Sequence, residues 1–287
     1  MATATAVSKT FKLGGELEIQ RLGYGAMRIT GKGVWGEPEN REEAKRVLRR
    51  AVELGVDFID TADSYGPDVS EILIGETLAP YKPGVVIATK AGFVRTGPFQ
   101  WTTLGRGEYI TQQVEMSLRH LKLERLDLWQ LHRIDPKTPV EESLGAAKKL
   151  QEQGKIRHIG LSEVSVVEIE QARKIVDIVS VQNEYNLTTR KSEEVLDYCE
   201  KNNLGFIPWY PVAAGKLVEP GGKLDQLARK HKATVAQLSI AWLLHRSPVM
   251  LPIPGTSSVA HLEENLKAAD VQLSDSEWSE VEQAAKA

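Results

Sequence analysis

Eight short apolar runs recur along the chain, and each is followed by a longer segment with helical periodicity. Their apolar residues stand at consecutive positions rather than in strict alternation, which is typical of strands covered on both faces. In order they read RLGYGAM, VDFID, VVIATK, LDLWQLH, IRHIGLS, IVSVQNEY, GFIPWYP and VMLPIPG. Eight strand–helix units in about 250 residues predict an α/β fold, the (β/α)8 TIM barrel.

The helical segments carry recognisable start and stop signals. In NREEAKRVLRRAVELG, Asn40 can cap the helix, Glu43 stands three residues later as in a capping box, and Gly55 closes it. In TPVEESLGAAKKLQEQGK, Thr138 is the candidate cap and Gly154 the stop. The segment TVAQLSIAWLLHR is more apolar, so it is expected to be more deeply buried.

An open doubly wound sheet is the structural alternative, and its dinucleotide-binding variants usually carry G-x-G-x-x-G near the first strand. The nearest match begins at Gly23 and has Arg28 where the third glycine should stand, so the barrel is favoured. No linker rich in Pro, Gly or Ser divides the chain, which predicts one domain over residues 1–287, with a flexible N-terminus over 1–10. The segment TFKLGGELEIQ alternates around a Gly-Gly turn and predicts a β-hairpin that caps the bottom of the barrel.

The composition bears on partners and location. The chain has 36 Lys and Arg against 39 Asp and Glu, a net charge of -3, so no basic field indicates nucleic acid or a membrane as partner. No run reaches the roughly 18 apolar residues of a membrane helix. The N-terminus lacks the pattern of a secretory signal, so a cytoplasmic protein is expected. The single cysteine, Cys199, indicates packing or a half-exposed thiol, and no metal site is predicted.

Ionisable residues end three neighbouring strands of the predicted barrel. Asp60 ends the second run, five residues before Tyr65, while Lys90 ends the third and His132 the fourth. Alone, each has an ordinary explanation, because a terminal Asp often caps a helix and a terminal Lys usually reaches solvent. Barrel closure, however, brings the carboxyl ends of neighbouring strands together, so these four side chains are expected to form one site. Asp57 has no counterpart in this group and is expected to be structural.

These four side chains suit proton transfer to a carbonyl oxygen. A free tyrosine titrates near pH ~10, and the ammonium of Lys90 is expected to lower the pKa of Tyr65. Asp60 would hold the lysine charged, and His132 would orient the substrate oxygen. The phenol could then give a proton to a carbonyl or take one from an alcohol. Because no protein side chain supplies hydride, this chemistry predicts a nicotinamide cofactor.

The segments DFIDTADSYG, ATK and LWQLH resemble the motifs of the aldo-keto reductases, and the resemblance runs from about Phe11 to the C-terminal helix. That family is a (β/α)8 barrel that binds NADP(H), sometimes NAD(H), without a Rossmann fold. The resemblance implies a catalytic tetrad of Asp60, Tyr65, Lys90 and His132, with Tyr65 as the general acid. It also implies reversible, NADP(H)-dependent reduction of aldehydes or ketones to alcohols.

Further segments resemble the cofactor-binding positions of the family. In IGLSE, Ser162 matches the residue that holds the carboxamide, while Glu163 replaces the family's asparagine. In PWYPVAAGKL, Trp209 is implied to stack on the nicotinamide, and the backbone that follows to line the pyrophosphate. The implied cofactor residues are Gly25, Ala26, Met27, Ser162, Gln182, Trp209, Tyr210, Pro211, Val212, Gly215, Gly255, Thr256, Ser257, Ser258, His261, Glu264 and Asn265.

The motif PIPGTSSVAHLEEN resembles the segment that grips the adenosine end of the cofactor. Many members carry a lysine and an arginine there for the 2′-phosphate, but Gly255 and His261 take those positions in this chain. The hydroxyl residues Thr256, Ser257 and Ser258 begin a helix whose free amides favour an anion. NADP(H) is therefore favoured and NAD(H) stays possible, although a well-capped last helix is the ordinary explanation of this motif.

Aromatic residues in the loops after strands are candidate substrate contacts. They are Trp35, and Phe93 and Trp101 in the longest loop, whereas Trp129 lies within a strand and is expected to pack. An aromatic, mostly uncharged pocket without clustered arginines favours hydrophobic or aromatic aldehydes and ketones. Two alternatives stay open: a cofactor-binding regulatory subunit on the same fold, and an isomerase or lyase that uses Lys90 as a Schiff base.

Overall fold

The structure is a computed structural model and describes residues 8–211 and 221–286. Of the N-terminal segment 1–10, residues 1–7 lie outside the described part, and the first strand begins at Thr10. The strands, in chain order, are β1 (Thr10–Leu13), β2 (Leu17–Gln20), β3 (Tyr24–Gly25), β4 (Phe58–Asp60), β5 (Val86–Ala91), β6 (Phe93–Val94), β7 (Thr102–Thr103), β8 (Leu126–Leu131), β9 (Ile156–Ser162), β10 (Ile178–Gln182) and β11 (Gly205–Phe206).

Seven of these strands form one parallel sheet in the order β3-β4-β5-β8-β9-β10-β11, within residues 8–211 and 221–286. The sheet closes into a barrel through the eighth run, VMLPIPG, which forms no regular strand. On one side, the Phe206 amide donates to Val249 O and the Leu251 amide to Phe206 O, both at 2.8 Å. On the other side, the Gly23 amide donates to Pro252 O at 2.9 Å. The prolines of this run lack amide hydrogens, which explains its sparse pairing.

Helices surround the sheet, as the alternation of runs predicts. In the described part of the chain they are α1 (Arg41–Glu53), α2 (Val69–Leu78), α3 (Gly107–Leu121), α4 (Val140–Glu152), α5 (Val166–Ala172), α6 (Glu193–Asn202), α7 (Lys223–Lys230), α8 (Val235–Arg246), α9 (Val259–Leu266) and α10 (Asp275–Lys286). The apolar helix α8 buries eight of its 12 residues, as its composition predicts.

The predicted helix caps are correct in one case and wrong in another. The Asn40 side chain accepts a hydrogen bond from the Glu43 amide at 2.9 Å and so caps α1. The Glu43 carboxylate turns away from that cap and accepts from the Val259 amide at 3.4 Å. Thr138 does not cap α4, because its hydroxyl donates to Asp135 at 2.8 Å and a proline holds the N-cap position.

The hairpin of β1 and β2 caps the N-terminal end of the barrel, as predicted. Ile19 on its inner face is fully buried. The Gln20 amide donates to the Asp57 carboxylate (2.8 Å), which stands just before β4. Glu16 in the hairpin turn pairs with Arg157 at the start of β9 (2.9 Å). Asp57 therefore has the structural role that was expected of it, since it fastens the hairpin to the barrel.

Two residues predicted to pack lie in the core. Trp129 is fully buried in β8. Cys199 is fully buried in α6, and burial raises the pKa of its thiol to about 12. Among the helices of the described residues, none combines the length and the apolar character that a membrane crossing requires.

Candidate active site

The four predicted catalytic side chains meet at the carboxyl ends of β4, β5 and β8. Lys90 Nζ donates to Asp60 Oδ1 at 2.6 Å and lies 3.5 Å from the Tyr65 hydroxyl. A third bond, to the backbone oxygen of Thr61 (2.7 Å), fixes the ammonium. The rings of Tyr65 and His132 lie 5.9 Å apart between centroids, at an angle of 78°. All four side chains are buried, so the structure brings together what the strand ends predict.

Two glutamines complete the hydrogen bonding of Asp60. Gln182 Nε2 donates to Asp60 Oδ2 at 2.9 Å, and Gln130 Nε2 donates to the same oxygen at 3.2 Å. The carboxylate therefore accepts three side-chain donors when Lys90 is included. Gln130 was missed by sequence reasoning, although a polar residue in the middle of the apolar run LDLWQL was a signal. Gln182, which was predicted to bind the cofactor carboxamide, donates its side-chain hydrogen bond to Asp60 of the tetrad in this structure.

Burial dominates the ionisation of the phenol. The pKa of Tyr65 is raised above its ordinary 10.0, because burial outweighs the opposing effect of Lys90. Lys90 does act to lower the pKa of Tyr65, as expected, but the larger effect of burial makes the net shift upward. Burial alone lowers the pKa of Lys90, in contrast to its effect on Tyr65. The neighbouring Asp60 and Tyr65 have a larger opposite effect, so the net pKa of Lys90 is raised. At neutral pH the site thus holds a charged lysine beside a protonated phenol.

His132 is neutral in this surrounding. Burial, followed by the positive charges of Lys90, Arg133 and Arg95, holds its pKa well below 6.5. The Ser64 hydroxyl lies 3.3 Å from its Nδ1. With Ser64 donating to Nδ1, the ring hydrogen is on Nε2, which can donate to a substrate oxygen.

The rings of Phe93 and Trp101 line one side of the tetrad and form an aromatic wall. The Phe93 ring lies 4.7 Å from that of His132 and 5.3 Å from that of Trp101, between centroids. Trp101 lies 6.5 Å from Tyr65 in an edge-on arrangement. Trp35 makes no such ring contact with the tetrad and forms a backbone bridge to the residue after Tyr65. Two of the three predicted substrate residues, Phe93 and Trp101, thus lie against the rings of Tyr65 and His132.

Arg95, which sequence reasoning missed, ties three loops together. Its Nη1 donates to Val34 O (2.8 Å) after β3 and to Ser64 O (2.7 Å) after β4. Its Nε donates to Gln100 O (2.7 Å) between β6 and β7. The guanidinium stacks 3.6 Å from the ring centroid of Trp101. Arg95 therefore fixes the loops that carry the aromatic wall.

A second missed arginine, Arg133, directly follows His132. Its Nη1 donates to His132 O (2.6 Å) and to Ser162 Oγ (3.0 Å). Its guanidinium lies 5.3 Å from the ring centroid of Phe93. The expectation of a mostly uncharged pocket without clustered arginines is therefore wrong, since Arg95 and Arg133 both flank the aromatic wall. The charged residue after the strand end LWQLH was the available signal.

Glu163 anchors the indole of Trp209. Its Oε1 accepts from Trp209 Nε1 (2.7 Å) and from the Glu184 amide (2.6 Å), and Lys191 Nζ lies 3.6 Å from its Oε2. The backbone of Glu163 has φ 56°, a left-handed conformation uncommon for a residue other than glycine. Sequence reasoning saw only a missing amide here. In the structure, the carboxylate orients the ring that the family resemblance assigns to nicotinamide stacking.

The model of the Aldo/keto reductase family matches residues 21–286 of this chain. The chain belongs to the aldo-keto reductase family. The resemblance seen in its motifs is thereby confirmed, and family membership makes the chain an oxidoreductase.

Relatives cover almost the whole of this aldo-keto reductase. An uncharacterized oxidoreductase from Schizosaccharomyces pombe is 50% identical over 272 residues, 95% of this chain and 89% of the relative. Pyridoxine 4-dehydrogenase from Escherichia coli is 40% identical over 274 residues, 93% and 95% of the two chains. An aldo-keto reductase from Klebsiella pneumoniae, solved with NADPH, superposes with a TM-score of 0.83 at 26% identity, covering 98% of this chain and 96% of that one. The predicted (β/α)8 fold is confirmed.

The glycines predicted for the cofactor of this aldo-keto reductase also serve the packing of its backbone. A Cβ on Gly25 would stand 2.6 Å from Ile253 O, and one on Gly255 would stand 2.8 Å from Gly25 O. Close approach of β3 to the segment before α9 therefore requires both glycines.

The other predicted cofactor residues differ in their exposure. The buried ones are Ala26, Ser162, Gln182, Pro211 and Thr256, and those partly or fully exposed are Met27, Trp209, Tyr210, Ser257, Ser258, His261, Glu264 and Asn265. Val212 and Gly215 lie outside the described residues.

Charged groups surround the start of α9, where the resemblance places the adenosine end. Arg28 is exposed, and its Cγ would lie 3.5 Å from a Cβ built on Gly255. The Glu43 carboxylate, which accepts from the Val259 amide, is paired with Arg46 at 3.0 Å. The structure therefore supplies an arginine near the glycine that replaces the family's lysine, and also a carboxylate that competes for the helix amides.

One group of possible metal ligands lies outside the tetrad, among the described residues. Asp68, Glu71 and His120 place their ligand atoms within 4.8 Å of one another. His120 Nδ1 lies 3.5 Å from Glu71 and 3.8 Å from Asp68. A hydrogen bond to Glu71 raises the pKa of His120. The two carboxylates favour the charged form of the imidazole, so attraction within this group does not require a metal ion.

Proposed function

We propose that this aldo-keto reductase reduces aldehyde or ketone carbonyls to alcohols, reversibly, with NADP(H). The observation that carries the proposal is a protonated, buried Tyr65 with Lys90 Nζ 3.5 Å from its hydroxyl, beside an aromatic pocket. The Klebsiella pneumoniae relative solved with NADPH supports the choice of cofactor. The Escherichia coli pyridoxine 4-dehydrogenase supports aromatic alcohol–aldehyde pairs, pyridoxal among them, as the first substrates to test.

Tyr65 is the proposed general acid. Its raised pKa keeps the hydroxyl protonated at neutral pH, so a proton is available for the carbonyl oxygen. The charged Lys90 stabilises the phenolate that remains, and Asp60 holds that charge in place. His132, being neutral, can donate a hydrogen bond that orients the carbonyl oxygen. A bound nicotinamide supplies the hydride.

The described residues fit a nicotinamide dinucleotide. Trp209 is partly exposed and its indole is held by Glu163, so its ring has a fixed orientation for stacking. Ser162, which is proposed to bind the carboxamide, accepts a hydrogen bond from Arg133, the residue after His132. At the other end, the start of α9 offers amides and an exposed Ser257, with Arg28 nearby. A helix N-terminus and an arginine suit a 2′-phosphate, which favours NADP(H) over NAD(H).

The two alternative functions, a Schiff-base enzyme that uses Lys90 and a regulatory subunit, have less support. A Schiff-base lysine must be free and neutral, whereas Lys90 is fully buried, bonded to Asp60 and Thr61, and has a raised pKa. A regulatory subunit has no need of a proton-transfer group, and the tetrad stands complete in one site.

Replacement of Tyr65 by phenylalanine tests the proposal, because it removes only the proposed acid. We expect kcat with NADPH and a panel of aldehydes to fall about 100- to 10,000-fold, while NADPH binding measured by fluorescence is unchanged. Tyr198→Phe is the matched control, since its hydroxyl contacts Glu170 and Arg173 at the outer surface, and should leave kcat unchanged. Near-normal turnover by Tyr65→Phe would contradict the mechanism. A wild-type protein that binds NADPH but turns over no carbonyl would favour the regulatory subunit.

A further inference from the structure

Two guanidinium groups beside the tetrad lack an acidic partner. Among residues 8–211 and 221–286, no carboxylate oxygen lies within 4.0 Å of Arg95 or Arg133, whereas Lys90 is paired with Asp60 at 2.6 Å. Glu163 attracts Arg133 at longer range. The catalytic pocket therefore has an excess of positive charge.

The carboxylate of Glu163 is engaged elsewhere. It accepts from Trp209 and the Glu184 amide, and Lys191 lies near its other oxygen. These contacts satisfy its negative charge without a contribution from Arg133. Glu163 consequently leaves the guanidinium of Arg133 without a direct counterion among the described residues.

Arg95 and Arg133 differ in how many of their guanidinium nitrogens donate hydrogen bonds to the protein. All three guanidinium nitrogens of Arg95 donate to backbone oxygens, so this side chain is committed to the loops. Arg133 uses only Nη1, for His132 O and Ser162 Oγ. Its Nε and Nη2 have no protein partner in the described part of the chain, and the side chain is only partly buried. Arg133 is thus the one of the two that can bind a ligand.

The surroundings of Arg133 indicate which ligand it fits. A guanidinium with two free donors matches the oxygens of a carboxylate or an ionised hydroxyl. Burial lowers the pKa of Arg133, which reflects the cost of a cation without a partner, and an anion would offset that cost. Phe93 joins the guanidinium to the aromatic wall, with its ring 5.3 Å from Arg133 and 4.7 Å from His132. An aromatic ring bound along this wall would place its carbonyl toward Tyr65 and a substituent toward Arg133.

We propose that Arg133 binds an anionic oxygen of the substrate, so that the preferred substrates are aromatic aldehydes that carry a carboxylate or an ionised hydroxyl. This inference rests on the proposed function and names the substrate class of the same site. Arg133 is then a substrate-binding residue that selects among aldehydes.

Matched pairs of acids and neutral esters test the role of Arg133. The probes are 2-, 3- and 4-carboxybenzaldehyde and their methyl esters, with NADPH as cofactor. For at least one pair, we expect the wild-type kcat/KM to be at least about tenfold higher for the acid. Arg133→Gln should remove that preference, because KM for the acid rises by a larger factor than KM for the ester, whereas Arg133→Lys should keep part of the preference. The control is Arg49→Gln, an exposed arginine on α1, which should change neither rate.

Binding measured without turnover separates this inference from the proposed function. Calorimetric titration of the NADP-loaded protein with the same acid and ester should show the same preference, again lost in Arg133→Gln. If the wild-type protein reduces no carbonyl but binds the acid through Arg133, the proposed function fails and the anion site stands.

Three results would overturn the inference. The first is a wild-type protein that prefers no acid over its ester in either assay. The second is an equal loss on acids and esters in Arg133→Gln, which would make the arginine a support for His132 and Ser162 only. The third is weaker NADPH binding in that variant with an unchanged acid-to-ester ratio, which would assign the free donors to the nicotinamide carboxamide.

Discussion

Replacement of Asp60 by asparagine tests the ion pair around which the site is built. Lys90 is fully buried with Nζ 2.6 Å from Asp60 Oδ1, and the carboxylate also accepts from Gln130 and Gln182. Asparagine keeps the size of the side chain but removes its charge, so the ammonium is left buried without a counterion. Breaking a buried pair in this way costs about 3–5 kcal/mol. For a chain of this length, that free energy corresponds to a fall in Tm of roughly 6–10 °C.

A double-mutant cycle shows whether the loss comes from the pair. Lys90→Met alone leaves a buried carboxylate, which also destabilises the fold, but the double variant buries neither charge. Its loss of stability should therefore be smaller than the sum of the single losses by about 2–3 kcal/mol. Thermal unfolding followed by circular dichroism measures all four proteins under identical conditions.

A surface pair provides the control for this cycle. Lys155 and Glu115 form a lysine–carboxylate pair with both side chains substantially exposed. Glu115→Gln should cost no more than about 1 kcal/mol. If Asp60→Asn unfolds within about 2 °C of wild type, or if the two single losses simply add, the ion pair does not organise the site.

Three further variants or conditions follow from the same contacts. The kcat/KM for reduction should stay constant from pH 7 to about 9, since the pKa of Tyr65 is raised above 10.0 and that of His132 lies well below 6.5. A titration midpoint of kcat/KM inside this range would contradict the roles given to Tyr65 and His132. Glu43→Gln should lower the KM for NADPH severalfold but not that for NADH, because its carboxylate competes for the start of α9; equal changes would place the 2′-phosphate elsewhere. Glu163→Ala should weaken NADPH binding about tenfold by releasing the indole of Trp209, and an unchanged Kd would show that the ring needs no such anchor.

The strand ends of the site are predictable from the sequence because they depend on short-range patterns. Asp60, Lys90 and His132 each follow an apolar run, and parallel packing then brings those ends together without further information. The Asn40 cap is predictable for the same reason, since a cap and its helix are adjacent in the chain. Thr138 failed as a cap because a carboxylate three residues earlier competes for its hydroxyl.

The electrostatics of the site depend on contacts that the sequence does not bring together. The pKa of Tyr65 is set mainly by burial, which arises only when the barrel and its loops enclose the phenol. Arg95 bonds to backbone oxygens up to 62 positions away, so no local motif reveals its role. Arg133 follows β8 and bonds to Ser162 at the end of β9, so this contact depends on the pairing of two strands that are separated in the chain. The positive pocket therefore emerges only in the folded chain.

Transfer of deuterium from reduced nicotinamide to an aldehyde tests the central claim most directly. The protein is incubated with an aromatic aldehyde and NADPH deuterated at both C4 positions, and the alcohol is analysed by mass spectrometry. The account predicts one deuterium at the former carbonyl carbon, with transfer nearly abolished in Tyr65→Phe although NADPH still binds. An alcohol without deuterium, or equal transfer by wild type and Tyr65→Phe, would contradict it.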